Sequence, residues 1–342
     1  FINKLKLAKI IDERIDPGLE SLFAVGVDEM SWDDLNETHY DWPSLAETQA
    51  YRNAVYQTVS RLIDTLPLEL PITEDSPWWV ILMGIEHENI HLETSSVLIR
   101  QLPLESIEEN REWRECEIVG STPQNVLLDV SQGTVILGKN KDAKLFGWDN
   151  EYGDHQAHVP AFKAAKYLTS NAEYLDFVKD AGYSNDMFWC EEGKAWKAYT
   201  HAAHPIFWRQ VEEGYRLRTL SREIDLPLNW PVEVNHLEAS AFCKWKSQKE
   251  GVTITLPTED EYIRLRDESK VLSYLEWTAK GETIANINLE GFASCMPVNT
   301  YKHGDFYDVI GNVWQWSRTP IYPFEGFKVH PVYDDFTVPT FD

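Results

Sequence analysis

The sequence predicts an α+β protein of two domains, a helix bundle over residues 1–118 and a less regular α+β domain over residues 119–342. Two observations lead to this fold class. Apolar residues recur at helical spacing in the first part, whereas after about Gly120 short alternating runs are separated by Gly, Asp and Asn turns. A chain of 342 residues is also long enough to build two separate cores.

The first part contains four predicted helical stretches and one segment without a clear period. The helices are Asn3–Arg14, Leu45–Thr65, Pro77–Leu102 and the short, charged Leu104–Glu115, and the irregular segment is Leu19–Tyr40. The third helix has the clearest start, because Ser76 suits an N-cap and Pro77 suits the first helical position. A bundle of this kind commonly builds metal sites from inward-facing side chains.

The second part alternates short strands with loops rich in tryptophan. Its predicted regular elements are the strands Val126–Val130 and Thr134–Leu137 and the helices Thr169–Ala181 and Leu237–Gly251. The remaining residues show too little regular pattern for a β-sandwich or a doubly wound sheet. An irregular α+β domain is therefore expected.

Composition excludes several classes of partner. The formal charge of −25 and the pI near 4.7 argue against nucleic acid and anionic membranes, which need basic surfaces. No apolar run approaches the ~20 residues that a membrane-spanning helix requires. The four cysteines are scattered without a C-x-x-C pair, which favours a reducing compartment and hence a cytoplasmic location.

The most informative stretch is the run of five residues from His87 to His91. Two histidines four apart on a helix project from one face, so their ring nitrogens can converge on one metal ion. Acidic residues adjoin the pair, including Glu88 and Glu93. We therefore predict that His87 and His91 bind a metal, in preference to forming a buried, hydrogen-bonded pair.

The pattern around these histidines fits two kinds of metal site. As His-Glu-x-x-His it is typical of zinc peptidases, with Glu88 as the base that activates water and a third ligand expected downstream, at Glu108, Glu109 or Glu112. As His-x-x-x-His-x-Glu it is typical of a non-haem iron site. Glu93 itself is rejected as a ligand, because it lies about 200° around the helix from His91.

Several segments of the second part resemble the formylglycine-generating-enzyme, or sulfatase-modifying-factor, fold, which is a variant of the C-type lectin fold. The segments are residues 146–153, 231–245, 256–262 and 308–316. The first part resembles a DinB-like four-helix bundle, whose members hold metal with three histidines. The resemblance implies a DinB-like bundle followed by a C-type-lectin-like domain, and nothing in residues 120–342 resembles a peptidase lobe.

A fusion of these two domains resembles the sulfoxide synthases of thiol-histidine biosynthesis. Residues 27–35, 87–103 and 322–331 are closest to the ovothiol branch, the 5-histidylcysteine sulfoxide synthases. That family uses Fe(2+) and O2 to join the sulfur of L-cysteine to the imidazole of L-histidine. The resemblance also implies that the first iron histidine lies upstream of Phe1 and that the lectin-like domain continues beyond Asp342.

The resemblance further implies a tyrosine that donates a proton or hydrogen atom in the active site. Tyr322 is the predicted catalytic residue and Tyr307 the second choice, while Asp28, Glu29 and Trp32 are weaker candidates for substrate contact. Two other functions stay open. The acceptor can be hercynine, as in the ergothioneine branch, and a chain that lacks one iron ligand can be a non-catalytic binding module.

Overall fold

The computed structural model of this chain describes residues 1–25, 36, 39–118, 120–289, 291–334, 337 and 341. The segment that contains Asp28, Glu29 and Trp32 lies outside the described residues, so the substrate contacts predicted there stay predictions. In the described part the α-helices are α1 (Ile2–Leu7), α2 (Pro17–Leu22), α3 (Leu45–Thr65), α4 (Pro77–Ile99), α5 (Asn171–Lys179), α6 (Glu191–Thr200), α7 (His236–Glu250), α8 (Glu259–Glu268) and α9 (Tyr274–Lys280).

In the described residues the strands form four small sheets rather than one large sheet. They are β1 (Leu127–Val130), β2 (Gly133–Leu137), β3 (His155–Val159), β4 (Phe162–Ala165), β5 (Trp208–Val211), β6 (Gly214–Arg218), β7 (Glu223–Asp225), β8 (Lys302–His303) and β9 (Phe306–Tyr307). Strand β1 pairs with β4, β2 with β3 and β8 with β9, while β5, β6 and β7 form a meander. The mixture of helices and short sheets confirms the predicted α+β class.

The chain divides into two compact units that are discontinuous in sequence. Unit 1 comprises Phe1–Glu93, Leu137–His155 and Ile321–Asp342, and unit 2 comprises Thr94–Ile136 and Gln156–Pro320. The predicted domains, residues 1–118 and 119–342, are instead continuous stretches of chain. That division, and the DinB-like character of the first domain, therefore stay predictions.

The core of unit 1 forms around the first turns of helix α4, where Trp79, Val80, Ile81 and Met83 are buried. Apolar residues from the start and the end of the chain pack against them, which is why unit 1 draws on three separate segments. Local signals fix the start of the neighbouring helix α3. At the start of α3, Ser44 and Glu47 form a reciprocal capping box, and this accounts for the agreement of α3 with its predicted bounds.

Unit 2 has a larger core that is mainly aromatic. Its central buried residues include Tyr174 and Phe177 of α5 and Phe242 and Trp245 of α7. Helix α7 begins with a capping box between Asn235 and Glu238 and ends before Gly251, which adopts a left-handed conformation. These local signals explain why the predicted helix Leu237–Gly251 is confirmed to within one residue at each end.

Two predicted helices are wrong. The stretch Asn3–Arg14 is helical only to Leu7, and the chain turns away at Lys9, whose φ is 58°. The stretch Leu104–Glu115 contains one short 3₁₀ turn at Leu104–Ser106, because its charged residues offer no continuous apolar face to bury. In the part of the chain that the structure describes, no helix combines the length and apolarity needed to cross a membrane.

Candidate metal site on helix α4

Helix α4 places His87 and His91 one turn apart, as predicted from their spacing. The ring centroids lie 4.5 Å apart, and the ring planes are nearly perpendicular at 81°. His87 is half-buried and His91 is exposed. The two imidazoles therefore lie at an accessible surface rather than inside the core, because the buried turns of α4 are the earlier ones around Trp79.

The spacing of the two imidazoles fits one metal ion. A metal–nitrogen bond of about 2.1 Å places an ion about 3.2 Å from a ring centroid, and two ligands at about 90° then have centroids about 4.5 Å apart. The measured centroid distance has this value. The centroid distance is therefore compatible with two neighbouring positions of one octahedral ion, and it is also the separation of two rings that pack edge to face.

Among the described residues, no third candidate ligand joins the predicted pair His87 and His91. Within these described residues, no group of three or more His, Cys, Asp or Glu side chains is arranged to hold a metal ion. Glu108, Glu109 and Glu112, the candidate third ligands of a zinc peptidase, are exposed and join no such group. Glu93 is exposed as well, in line with its rejection as a ligand.

Among the described residues, Tyr333 lies beside His87. Its ring is edge-on to His87, with centroids 6.0 Å apart, and it also contacts Trp148 at 5.7 Å. The ammonium group of Lys4 lies 5.1 Å from the centroid of the same ring. The half-buried phenol of Tyr333 is therefore surrounded by the ammonium group of Lys4, the indole of Trp148 and the imidazole of His87.

The two tyrosines singled out from the sequence lie in other surroundings. Tyr322 is in unit 1, and its side chain is 55% exposed. Tyr307 is in unit 2, where it packs against Tyr167 with centroids 4.9 Å apart. Sequence reasoning missed Tyr333, although it lies just beyond the segment 322–331 that resembled the ovothiol branch, because fifteen tyrosines offered no local signal to separate it.

A cluster of aromatic rings surrounds Trp79, about two helical turns before His87 in α4. Trp79 contacts Phe146 and Trp148, and it stacks on His330 with centroids 3.6 Å apart and planes 7° apart. Its indole N–H donates to the carbonyl of Gly147 at 3.1 Å. The segment 146–153 of the sequence analysis thus forms part of the support beneath the candidate site.

Asp149 lies in that segment and is buried, as expected for a structural turn. Its Oδ2 accepts a hydrogen bond from the backbone N–H of His330 at 2.8 Å and another from the Thr337 hydroxyl at 3.0 Å. His330 is itself buried, and it packs on Trp79 of helix α4.

Comparisons with known proteins identify a family for the part of the chain that follows helix α4. Residues 115–330 match the family described as "Sulfatase-modifying factor enzyme 1-like domain". The chain is 27% identical over 312 residues to the hercynine oxygenase of Mycolicibacterium smegmatis, covering 87% of this chain and 67% of that protein. It is 23% identical over 340 residues to ergothioneine biosynthesis protein 1 of Schizosaccharomyces pombe, covering 90% of this chain and 39% of that protein.

A third relative is named for a different activity. The chain is 25% identical over 235 residues to the formylglycine-generating enzyme of Thermomonospora curvata, covering 58% of this chain and 74% of that protein. The relatives from Mycolicibacterium smegmatis and Schizosaccharomyces pombe thus match along most of the chain, whereas this one matches a shorter part. Because the family match spans more than half of the residues, the chain belongs to the sulfatase-modifying factor enzyme 1-like domain family.

Proposed function

We propose that this chain is the catalytic part of an Fe(2+)- and O2-dependent sulfoxide synthase, which joins the sulfur of a cysteine-type thiol to an imidazole ring. The observation that carries the proposal is the His87–His91 pair, whose spacing suits one ion, in a chain whose relatives include hercynine oxygenases. The coupling balances as a thiol plus an imidazole C–H plus O2 giving a sulfoxide plus water. Bound iron would supply the site at which O2 and the thiol meet.

The chain's own residues would hold the ion and shape its surroundings. His87 and His91 each bind through one unprotonated ring nitrogen, so metal binding strengthens as their competing protons are removed. A third ligand is proposed to come from outside the described residues. The exposed carboxylates Glu86, Glu88 and Glu93 on the same helix make the surface attractive to cations.

We assign the role of proton donor to Tyr333 and keep Tyr322 as the alternative. The ring of Tyr333 contacts His87, and a phenol beside the metal ligand can hold or release a proton at its hydroxyl oxygen. Tyr322 was predicted for this role from resemblance, but its side chain is largely exposed. Exposure to water weakens control of a proton, which favours Tyr333.

The acceptor is hercynine or L-histidine. The printed names of the relatives from Mycolicibacterium smegmatis, Mycobacterium tuberculosis and Mycolicibacterium thermoresistibile all refer to hercynine, and these names support hercynine. The specific observation in favour of L-histidine is the resemblance of residues 87–103 and 322–331 to the ovothiol branch. The two acceptors differ in the trimethylation of the amine, so a direct competition between them separates the proposals.

The test uses the protein at its full natural length, loaded with Fe(2+) and given O2, L-cysteine and equal amounts of L-histidine and hercynine. Mass spectrometry of the products identifies the acceptor from the mass of the sulfoxide. We expect His87→Ala and His91→Ala to abolish the coupling. The matched control is His236→Ala, which removes a histidine of unit 2 that contacts Trp316.

Each outcome separates one proposal from another. A hercynine adduct supports the ergothioneine-type reaction, and a histidine adduct supports the ovothiol-type reaction. Coupling that survives the loss of His87 and His91 would falsify the metal assignment. Iron binding without any adduct would favour a binding module, and peptide hydrolysis that depends on zinc would favour the peptidase alternative.

The tyrosine assignment has its own measurement within the same assay. We expect Tyr333→Phe to lower the yield of sulfoxide relative to the sulfinic acid that forms when cysteine alone is oxidised. Tyr322→Phe, the matched variant, should leave that ratio unchanged. The reverse result would return the role to Tyr322.

A further inference from the structure

His330 is a buried histidine of unit 1 with several partners, and the proposed mechanism does not use it. Its side chain is 1% exposed. Ring atom Nδ1 accepts a hydrogen bond from the N–H of Val332 at 3.2 Å, and Nε2 lies 3.1 Å from the carbonyl oxygen of Glu74. A backbone N–H can only donate and a carbonyl can only accept, so these contacts define the tautomer with hydrogen on Nε2.

The contacts of His330 with Trp79 and Asp149 fix the position of its ring. The stack on Trp79 covers one face, and Trp79 is itself held by its hydrogen bond to Gly147. The backbone N–H of His330 donates to the buried carboxylate of Asp149. Hydrogen bonds at the backbone and at both ring nitrogens, together with the stack, leave this residue little freedom to slide or rotate.

A tight turn connects His330 to Tyr333. The N–H of Tyr333 donates to the carbonyl of His330 at 3.1 Å, which closes a four-residue turn through Pro331 and Val332. Proline restricts φ at the second position of that turn, so the turn is stiff. The packed position of the His330 backbone therefore restricts where the ring of Tyr333 can lie.

The two ends of the turn contact different points of helix α4. His330 stacks on Trp79, and Tyr333 contacts His87. Eight residues of α-helix separate these contacts, a rise of about 12 Å. Contacts at two separate points of α4 thus restrict the position of the Tyr333 phenol relative to His87, the candidate metal ligand.

We propose that Glu74, Trp79, Asp149 and His330 form a latch that positions Tyr333 against His87. His330 is a positioning residue that acts through Tyr333 and binds no metal itself. The latch's effect on catalysis rests on the function proposed above, whereas its effect on the Tyr333–His87 contact does not. Loosening the latch is expected to move Tyr333 while leaving the spacing of His87 and His91 intact, because that spacing is fixed within one helix.

The first test reads the contact directly in the metal-free protein. The histidines are labelled with ¹³C, and the ring resonance of His87 is assigned by its loss in His87→Ala. Tyr333→Leu then shows how far that resonance shifts when the ring current of Tyr333 is lost. We expect a shift of comparable size and direction in His330→Asn, which keeps an acceptor for Val332 but loses the stack and the Nε2 donor.

Two further variants keep the test decisive. Trp79→Phe retains an aromatic core residue but reduces the stacking surface, and it should give a smaller shift in the same direction. His236→Asn is the matched control, since it alters a histidine that contacts a tryptophan in unit 2. An unmoved His87 resonance in either His330→Asn or Trp79→Phe, each folded by circular dichroism, overturns the latch.

The second test uses the product ratio and a double mutant. If His330 acts through Tyr333, His330→Asn lowers the ratio of sulfoxide to sulfinic acid, and adding it to Tyr333→Phe causes no further loss. Additive losses, which a general loosening of the fold would produce, contradict the latch. Should the enzyme form no coupling product at all, the proposed function fails while the resonance test still decides the latch.

Discussion

Two aromatic clusters, one in each unit, have similar ring contacts but different surroundings. In unit 2, Tyr174 stacks on Phe242 with centroids 5.4 Å apart, and Phe177 is fully buried beside them. In unit 1, Trp79 stacks on His330 in the same way, yet the cluster continues through Tyr333 to His87, which water can reach. Ring geometry alone therefore does not distinguish a structural core from the support of a site.

The polar atoms at the end of each cluster distinguish the structural core of unit 2 from the support of the candidate site in unit 1. In unit 2 the hydroxyl of Tyr174 lies 3.3 Å from that of Tyr183, which donates to Glu238 at 2.5 Å, so the network closes inside the protein. In unit 1 the cluster ends at His87, which is half-buried and lies next to the exposed His91. We expect substitutions in the first cluster to change folding stability and substitutions at the end of the second to change metal binding.

The largest expected effect is that of Phe177→Ala in unit 2. Phe177 is fully buried, and truncation of a buried phenylalanine costs about 3–5 kcal/mol of unfolding free energy. Denaturant unfolding measures the loss. Ile136→Ala, at a largely exposed apolar position, is the control and should change the unfolding free energy by less than about 0.5 kcal/mol. Equal losses in the two variants would contradict the placement of the core.

Because Asp308 is buried, we expect the unfolding free energy to depend on pH. Burial raises the pKa of this carboxyl to about 7, so the folded protein binds a proton that the unfolded chain releases above its ordinary, lower pKa. The unfolding free energy should therefore fall as the pH rises from about 4 to about 7, by an amount on the order of 1–3 kcal/mol.

The variant that checks this slope is Asp308→Asn, because asparagine tolerates the φ of 45° found at this position. We expect it to remove the Asp308 part of the slope, measured by denaturant unfolding across that pH range. Asp129→Asn alters an exposed aspartate that pairs with Lys163 and should leave the slope intact. A slope that persists in Asp308→Asn would assign it to other groups.

Tyr183→Phe is expected to lower the unfolding free energy by a similar amount, about 1–3 kcal/mol, because it removes a hydrogen bond to a buried group. Burial raises the pKa of Glu238, and the Tyr183 hydroxyl opposes that rise by stabilising the charged carboxylate. The loss of stability should thus increase with pH, as Glu238 ionises without its donor. Tyr199→Phe, at an exposed tyrosine, is the control. A loss that is independent of pH would contradict the closed network.

His87→Ala should have the smallest effect on folding, within about 0.5 kcal/mol, because His87 is only half-buried. Its effect on metal affinity should be large. Loss of an outer contact of a metal site typically costs about 10–100-fold in affinity, and loss of a ligand should cost at least as much. Titration of the metal-free protein with Fe(2+) or Co(2+) checks this, and an unchanged affinity would remove His87 from the site.

Helices with local signals were predictable from the sequence. Helix α3 has its capping box at Ser44 and Glu47, and α7 has its own at Asn235 and Glu238, so both start where the sequence indicates. The meander β5–β6–β7 and the highly charged helix α8 were not predicted. The meander depends on pairing between strands. Helix α8 has a local capping box at Thr258 and Glu261, but its highly charged sequence is also held by distant contacts, namely the hydrogen bonds that link Ser131 to Arg264 and Glu268.

The candidate site divides in the same way. The His87–His91 pair depends on one helical turn, and its geometry follows from residue spacing alone. The choice between Tyr322 and Tyr333 depends instead on where the C-terminal segment of unit 1 lies. No local pattern contains that information, because a tyrosine in a loop has the same sequence signature whether it packs on a ligand or faces water.

The sequence by itself thus determined the α+β class, the principal helices and the paired imidazoles, since each follows from contacts between residues a few positions apart. Tertiary structure alone decided that His330 is buried and which tyrosine contacts His87. Glu74 and His330 are 256 positions apart in the chain, yet they share a hydrogen bond. Such a contact forms only after folding has brought both segments together, because burial and a fixed partner are properties of the packed chain.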